Sequence, residues 1–322
     1  MTKRLPHNLG MDLIRATEGA ALKAGRWMGL GDPERADQVA TTAFRATLDS
    51  IDINGTIIIS EEKPGHDTAM SYGNKAGSGK GPIVDVVGDP VDGCLQLAMG
   101  HPGALSVVAV APSGSMWAPP PAIYMSKIVV DQQVSGSLVP ECMDAPAAWT
   151  LALVGRAKDK SVNDLTVFIL DRPRHADLIA EIRATGARVV LRPDGDVAGA
   201  LMACMTDSSV DILMGVGGVL EGLIIACAVK SLGGAMLVRL APQDKDERSA
   251  VEEAGYDPSR ILTCDDLVAS EDVYFAATGI TTGPMLTGIS YHGERASSNS
   301  LILRGVTRTK RSIVAEHLID GL

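Results

Sequence analysis

The sequence predicts an α/β protein with two domains. Hydrophobic residues fill 46% of the 322 positions, ample for a substantial buried core, while aromatics supply only 3%. The core must therefore be built from Ala, Val, Ile, Leu and Met, with 34 glycines permitting tight turns and close packing. From about Leu165 onward, short apolar runs alternate with helical patterns, as parallel βαβ units do.

Between Met11 and Gly29, apolar Leu13, Ile14, Ala21, Leu22 and Met28 recur at roughly helical spacing, which predicts an opening helix. A second helical pattern runs from about Asp37 to Ser50, followed by an Asn54-Gly55 turn and the β-branched run Thr56 to Ile59. The pair Glu61-Glu62 thus emerges where a strand stops. A polar, glycine-rich stretch from His66 to Lys80 precedes the run Ile83 to Val87, read as a strand ending at Asp89. Ala104 to Ala111 is another strand, prolines make Pro112 to Pro121 a loop, and Ile128 to Val130 resumes extended structure.

Further on, strands Leu165 to Leu170, Arg188 to Leu191 and Val210 to Met214 alternate with helices Ala176 to Thr185, Val197 to Met205 and Leu220 to Ser231. Open α/β sheets collect ligands at the carboxyl ends of their strands. Those ends carry Asp171-Arg172-Pro173-Arg174-His175, Pro193-Asp194-Gly195-Asp196 and Gly215-Val216-Gly217-Gly218. A domain boundary is expected within Ala145 to Asp164, giving domains 1–155 and 156–322.

The net charge of −10 argues against a general nucleic-acid binder, whose backbone affinity comes from clustered Lys and Arg. Five cysteines without a CxxC pair fit reduced thiols, the opening residues are not an apolar export signal, and Leu223 to Val229 is far shorter than the ~20 residues that span a bilayer. A cytoplasmic protein with no membrane partner is expected.

In Asp89-Pro90-Val91-Asp92-Gly93-Cys94, two carboxylates bracket a proline and a glycine lets the chain turn, so that following N–H groups can face an anion. That combination suits a metal-and-phosphate site. Mg²⁺ takes oxygen ligands, and Asp37, Glu61 and Glu221 are candidates for the remainder. Taken singly, Asp37 or Asp92 also reads as a turn or helix cap, and Glu221 as a first-turn carboxylate favoured by the helix dipole. Arg172 and Arg174 suit a second phosphate or a surface ion pair, and His175 a phosphate contact or a structural hydrogen bond. The glycines from 215 to 218 partly match a dinucleotide fingerprint, but Leu220 stands at its third glycine, so an NAD site is not expected. Gln243 to Arg248 reads as a solvated charged loop.

Ordered motifs extend along nearly the whole chain: Arg15-Ala16-Thr17-Glu18, Gly25-Arg26-Trp27-Met28-Gly29, Asn54-Gly55-Thr56-Ile57, Asp89-Pro90-Val91-Asp92-Gly93, Tyr124-Met125, Pro173-Arg174-His175, Pro193-Asp194-Gly195-Asp196 and Ala277-Thr278-Gly279-Ile280-Thr281. Together they resemble the class II fructose-1,6-bisphosphatases of bacteria, in the inositol-monophosphatase-like superfamily. The resemblance implies a layered α-β-α-β-α sugar-phosphatase fold that hydrolyses the 1-phosphate of fructose 1,6-bisphosphate. It implies Mg²⁺ or Mn²⁺ on Asp37, Glu61, Asp89, Asp92 and Glu221, with Glu61, Asp89 and Cys94 catalytic. It further implies that Gly93 and Cys94 cradle the reacting phosphate, that Tyr124, Arg172 and Arg174 hold the distal one, that Asp194 and Asp196 meet sugar hydroxyls, and that Gly218 lines the substrate site. A homo-oligomer, dimer or tetramer, is also implied.

Two positions depart from the family pattern. Ser60-Glu61-Glu62-Lys63 stands where the family has Gly-Glu-Gly-Glu, so an ammonium replaces a second metal-binding carboxylate. Cys94 replaces a Thr or Ser whose hydroxyl orients the attacking water, and a thiol is a poorer donor. Both keep open a paralogue acting on a different sugar phosphate, or a catalytically weak sugar-phosphate binder.

Overall fold

The computed structural model describes residues 4–59, 69–117, 119 and 122–319. Glu61 and the departure at Lys63 lie outside the described residues. The chain forms two compact units, Met1–Met116 with Ser270–Leu322, and Trp117–Ala269. This division differs from one at residue 155, because hydrogen bonding reassigns both ends. Residues 124–130 pair inside the second unit's sheet, and residues 274–279 pair inside the first.

Along the chain the strands are β1 (Asn54–Ile57), β2 (Lys75–Ala76), β3 (Ile83–Asp92), β4 (Leu105–Pro112), β5 (Tyr124–Val130), β6 (Thr166–Leu170) and β7 (Arg188–Arg192). They continue as β8 (Ile212–Gly218), β9 (Ala235–Leu240), β10 (Leu262–Thr263), β11 (Tyr274–Gly279), β12 (Ser290–His292), β13 (Arg295–Arg304) and β14 (Thr309–Leu318). Two sheets and ten α-helices among the described residues confirm the α/β class.

The first unit's sheet runs β12-β13-β11-β4-β3-β1-β2, with β14 on β13. Helices Leu9–Ala24 and Pro33–Leu48 pack on each other and on this sheet. The second starts where Asp32 caps it, accepting from Arg35 N at 2.9 Å, with Pro33 in the first turn. It buries Ala36, Ala40, Phe44 and Leu48 along one stripe. Phe44 reaches β3 so closely that a Cβ on Gly88 would stand 3.0 Å from its Cζ. Asn54-Gly55, expected as a turn, lies inside β1. Gly55 is needed there because a Cβ would press on Val86 at 2.8 Å and on the Ala76 carbonyl at 2.9 Å.

The second unit's sheet runs β10-β9-β5-β8-β6-β7. β6 is parallel to both β7 and β8, as the alternating pattern predicts, while β5 is antiparallel to β8 and β9. The carboxyl ends of β6, β7 and β8 therefore share one edge with the start of β5. Helices Ala147–Lys158 and Ala176–Ala184 bury Leu151, Val154, Ile179 and Ile182 in one core with Ile128, Val167, Ile169 and Ile212. Helix Val219–Leu232 buries twelve of its fourteen residues, consistent with its apolar composition on every side.

Phe44 is fully buried between the helix that carries Asp37 and the strand that carries Asp89. Phe44→Ala is expected to lower the free energy of unfolding by about 3–5 kcal/mol, read from urea denaturation. A loss under about 1 kcal/mol would mean that this contact does not hold the helix.

Candidate active site

The strand expected to stop at Asp89 continues to Asp92, and it does so irregularly. Asp89 pairs with Val107 and Asp92 with Leu105, so three steps along β3 match two along β4. This is a β-bulge at Pro90, a residue with no N–H to give to the ladder. In a regular strand, residues three apart face opposite ways. The extra residue returns Asp92 to the face of Asp89, and both carboxylates are buried, at 2% and 8% exposure.

Val91 N donates to Asp89 Oδ1 at 2.9 Å, which fixes one carboxylate against the bulge itself. The chain then turns at Gly93, with φ +98°, a conformation that favours glycine, and enters the short helix Cys94–Ala98. The Cys94 thiol donates to Val91 O at 3.3 Å and lies 4.0 Å from Asp37 Oδ1. Cys94 is thus a half-buried thiol engaged with the bulge and facing a carboxylate. Asp37, Asp89, Asp92, Gly93 and Cys94 all belong to the first unit.

These carboxylates are hard oxygen donors of the kind a divalent cation takes. The donor set therefore fits the expected cation. Among the described residues no three His, Cys, Asp or Glu side chains gather into one cation-binding cluster.

The other predicted residues, Tyr124, Arg172, Arg174, Asp194, Asp196, Gly218 and Glu221, belong to the second unit. Arg172 Nη2 lies 3.4 Å from Asp194 Oδ1, which joins the ends of β6 and β7. Arg174 donates to Val216 O at 2.9 Å through Nη2 and sits 5.1 Å from the Tyr124 ring centroid, a cation–π pair. Glu221 is half-buried in the first turn of helix Val219–Leu232.

The glycines at 215–218 are part of β8, not a loop: Gly218, Gly217, Val216 and Gly215 pair with Tyr124, Met125, Ser126 and Lys127. Each of the three glycines makes room for a side chain. A Cβ on Gly215 would stand 3.0 Å from His175 Nε2, one on Gly217 would strike the Asp196 carboxylate, and one on Gly218 would strike that of Glu221. Gly215 also has φ +130°. The cluster thus has a packing cause independent of any dinucleotide.

His175 is 2% exposed, and its neighbours settle its protonation. Nδ1 is 2.7 Å from Leu170 O and Nε2 accepts from Val216 N at 2.7 Å, which together require the neutral Nδ1–H tautomer. Burial pushes its pKa below the ordinary value; the Leu170 carbonyl opposes this, Arg174 adds to it, Asp196 opposes and Arg172 adds.

Two residues that sequence reasoning passed over complete this edge. Lys127, 1% exposed, donates to Asp196 Oδ2 at 2.5 Å and to Gly218 O at 3.0 Å. Its signal in the sequence is a lone ammonium within the otherwise uncharged strand Tyr124–Val130. Glu247, 6% exposed, accepts from Ile123 N at 2.8 Å, Tyr124 N at 3.0 Å and Gln243 N at 2.8 Å. It sits in helix Lys245–Glu253, capped by Asp244, within the segment read as a solvated loop. The Asp244-x-x-Glu247 spacing was the helix-start signal there.

The two sheets, the bulged pair of buried carboxylates and the arginine-bearing sheet edge define a mixed α/β protein equipped with acidic and basic sites. The chain belongs to the bacterial fructose-1,6-bisphosphatases encoded by glpX, whose family model matches residues 7–317. It is 38% identical over 325 residues to Fructose-1,6-bisphosphatase 1 class 2 of Escherichia coli (strain K12), covering 97% of this chain and 96% of that relative. The same identity and coverage relate it to Fructose-1,6-bisphosphatase class 2 of Escherichia coli O6:H1 and of Shigella flexneri.

Removing Lys127 leaves the Asp196 carboxylate buried beside no ammonium. Lys127→Met is expected to cost about 3–5 kcal/mol of stability, whereas Lys127→Met combined with Asp196→Leu costs less. Equal losses in urea denaturation of the two variants would show that the pair is not coupled.

Proposed function

We propose that the protein is a phosphatase hydrolysing the 1-phosphate of fructose 1,6-bisphosphate, or of a closely related sugar bisphosphate, with Mg²⁺ or Mn²⁺. The observation that carries this reading is the bulge at Pro90, which sets two buried carboxylates on one strand face in a chain of this family. Asp37, Asp89 and Asp92, with Glu61 and Glu221 as the further candidates, would hold the cations, which supply positive charge for the phosphoryl oxygens and lower the pKa of water.

The chain's own groups divide the remaining work. Water oxygen attacks phosphorus in line with the leaving oxygen of the sugar, whose bond to phosphorus breaks; the water gives up a proton and the sugar oxygen takes one up, leaving inorganic phosphate and the sugar monophosphate. Gly93 and Cys94 are the candidates to receive the reacting phosphate at the turn after β3. Tyr124, Arg172 and Arg174 are the candidates for the distal phosphate, Arg174 being held by Val216 O and set against the Tyr124 ring. Asp194 and Asp196 are the candidates for sugar hydroxyls, beside Gly218. The Cys94 thiol, engaged with Val91 O, stands where a hydroxyl would orient water. The protein is further read as a cytoplasmic homo-oligomer. None of its five cysteines is in a disulfide, and no described helix is long and apolar enough to cross a membrane.

Purified protein is expected to release phosphate from fructose 1,6-bisphosphate with Mg²⁺ or Mn²⁺ and not with chelator. Asp89→Asn should lower kcat at least about 100-fold, the scale of losing one charge-stabilising group. Cys94→Thr should raise it. Absence of release with either metal would exclude this substrate, and an unaffected Asp89→Asn variant would exclude the assigned site.

A further inference from the structure

The second unit's candidate binding edge is assembled from chain segments distant in sequence, and one side chain joins two of them at Val216, the residue whose carbonyl also holds Arg174. His175 follows the Arg172-Pro173-Arg174 turn, yet it is 2% exposed and points back into the sheet. Its Nδ1–H donates to the last carbonyl of β6, Leu170 O, at 2.7 Å. Its Nε2 accepts from Val216 N at 2.7 Å, in the last residues of β8. Val216 is held through its carbonyl as well, because Val216 O accepts from Arg174 Nη2 at 2.9 Å and Nε at 3.3 Å. Gly215 leaves the space for this approach.

We propose that His175 is a positioning residue for recognition of the non-reacting phosphate: its neutral imidazole fixes Val216, and Val216 fixes the guanidinium of Arg174 against Tyr124. The inference rests on the fructose 1,6-bisphosphatase reading given above. A buried imidazole with both nitrogens engaged cannot itself reach the phosphate, so its effect passes through the backbone of Val216. Without it, Val216 N–H loses its acceptor and the β6 and β8 ends lose their cross-link, while the bulge in the first unit keeps its own hydrogen bonds. The expected signature is a weakened hold on substrate with little change in the chemical step.

The test compares His175→Leu, which removes both bonds, with His175→Gln, whose amide oxygen can again accept from Val216 N–H. KM and kcat for fructose 1,6-bisphosphate are measured with Mg²⁺ or Mn²⁺, and thermal unfolding checks that each variant is folded. His175→Leu is expected to raise KM about tenfold or more with kcat within about threefold of the parent, the effect of one buried donor losing its partner. His175→Gln is expected to recover most of that KM. Unchanged KM in a folded His175→Leu variant, a loss confined to kcat, or a folded His175→Gln variant no better than His175→Leu would overturn the proposal. Should His175→Leu fail to fold, His175→Gln decides alone: near-parental KM supports the positioning role, and a KM raised tenfold or more refutes it. Failure of the underlying reading is distinguishable, because the parent protein would then release no phosphate from this substrate.

Discussion

The missing N–H of Pro90 is the constraint on which the acidic half of the candidate site depends. A proline inside a strand breaks the ladder, and β3, which beyond Val86 pairs with β4, accommodates it by inserting one extra residue opposite β4. That residue puts Asp89 and Asp92 on one face, although their spacing would otherwise separate them. Everything after it follows in sequence: Val91 N–H caps Asp89, the Cys94 thiol caps Val91 O, and Gly93 takes the left-handed turn between them. Phe44, locked against Gly88, sets the Asp37 helix on the same strand. A substitution of Pro90 would therefore alter geometry before it altered charge.

The second unit solves a different problem, that of placing charged side chains beside buried backbone. Its device is the absence of Cβ atoms at the end of β8, where Gly215, Gly217 and Gly218 admit His175, Asp196 and Glu221. Lys127 and Asp196 are buried as a pair, which is acceptable where each is the other's countercharge and costly where either stands alone. Lys127 also reaches Gly218 O, so the middle of β5, the end of β8 and the start of helix Asp196–Cys204 are joined by one ammonium. Glu247 does similar work for Tyr124, holding the backbone at the start of β5 with one carboxylate oxygen. Lys127 and Asp196 are thus an ion pair and Glu247 a carboxylate held by backbone N–H donors, in the same unit as the exposed Arg174 and the half-exposed Arg172.

Much of this was legible in the sequence where periodicity and burial agree. The strands and helices between Leu165 and Leu232 are found within a few residues of their expected bounds, because each apolar run is closed by a polar or glycine-bearing segment. Reading failed where one residue type serves two purposes. Asn54-Gly55 has the composition of a turn, but its glycine is demanded by close strand packing. Pro90 looked like the end of a strand because a proline marks both an end and a bulge. Gly215, Gly217 and Gly218 were read as a polar loop following a strand, because the side chains that require their bareness lie up to about ninety residues away along the chain. Lys127 and Glu247 could not be assigned roles from local pattern, since their partners, Asp196 and Tyr124, are long-range. The carboxylate pattern at Asp89 and Asp92 was readable; that both share one face was not.

The central claim is that the bulged strand end is a cation site, and direct binding of Mn²⁺ to the purified protein, without substrate, tests it most directly. Calorimetric titration of the parent protein and of Asp92→Asn separates cation binding from every later step of the reaction. The expected result is saturable Mn²⁺ binding by the parent and an affinity at least about tenfold weaker in Asp92→Asn, with thermal unfolding showing that the variant remains folded. Equal Mn²⁺ affinity in the two proteins would contradict the assignment of these buried carboxylates to a cation.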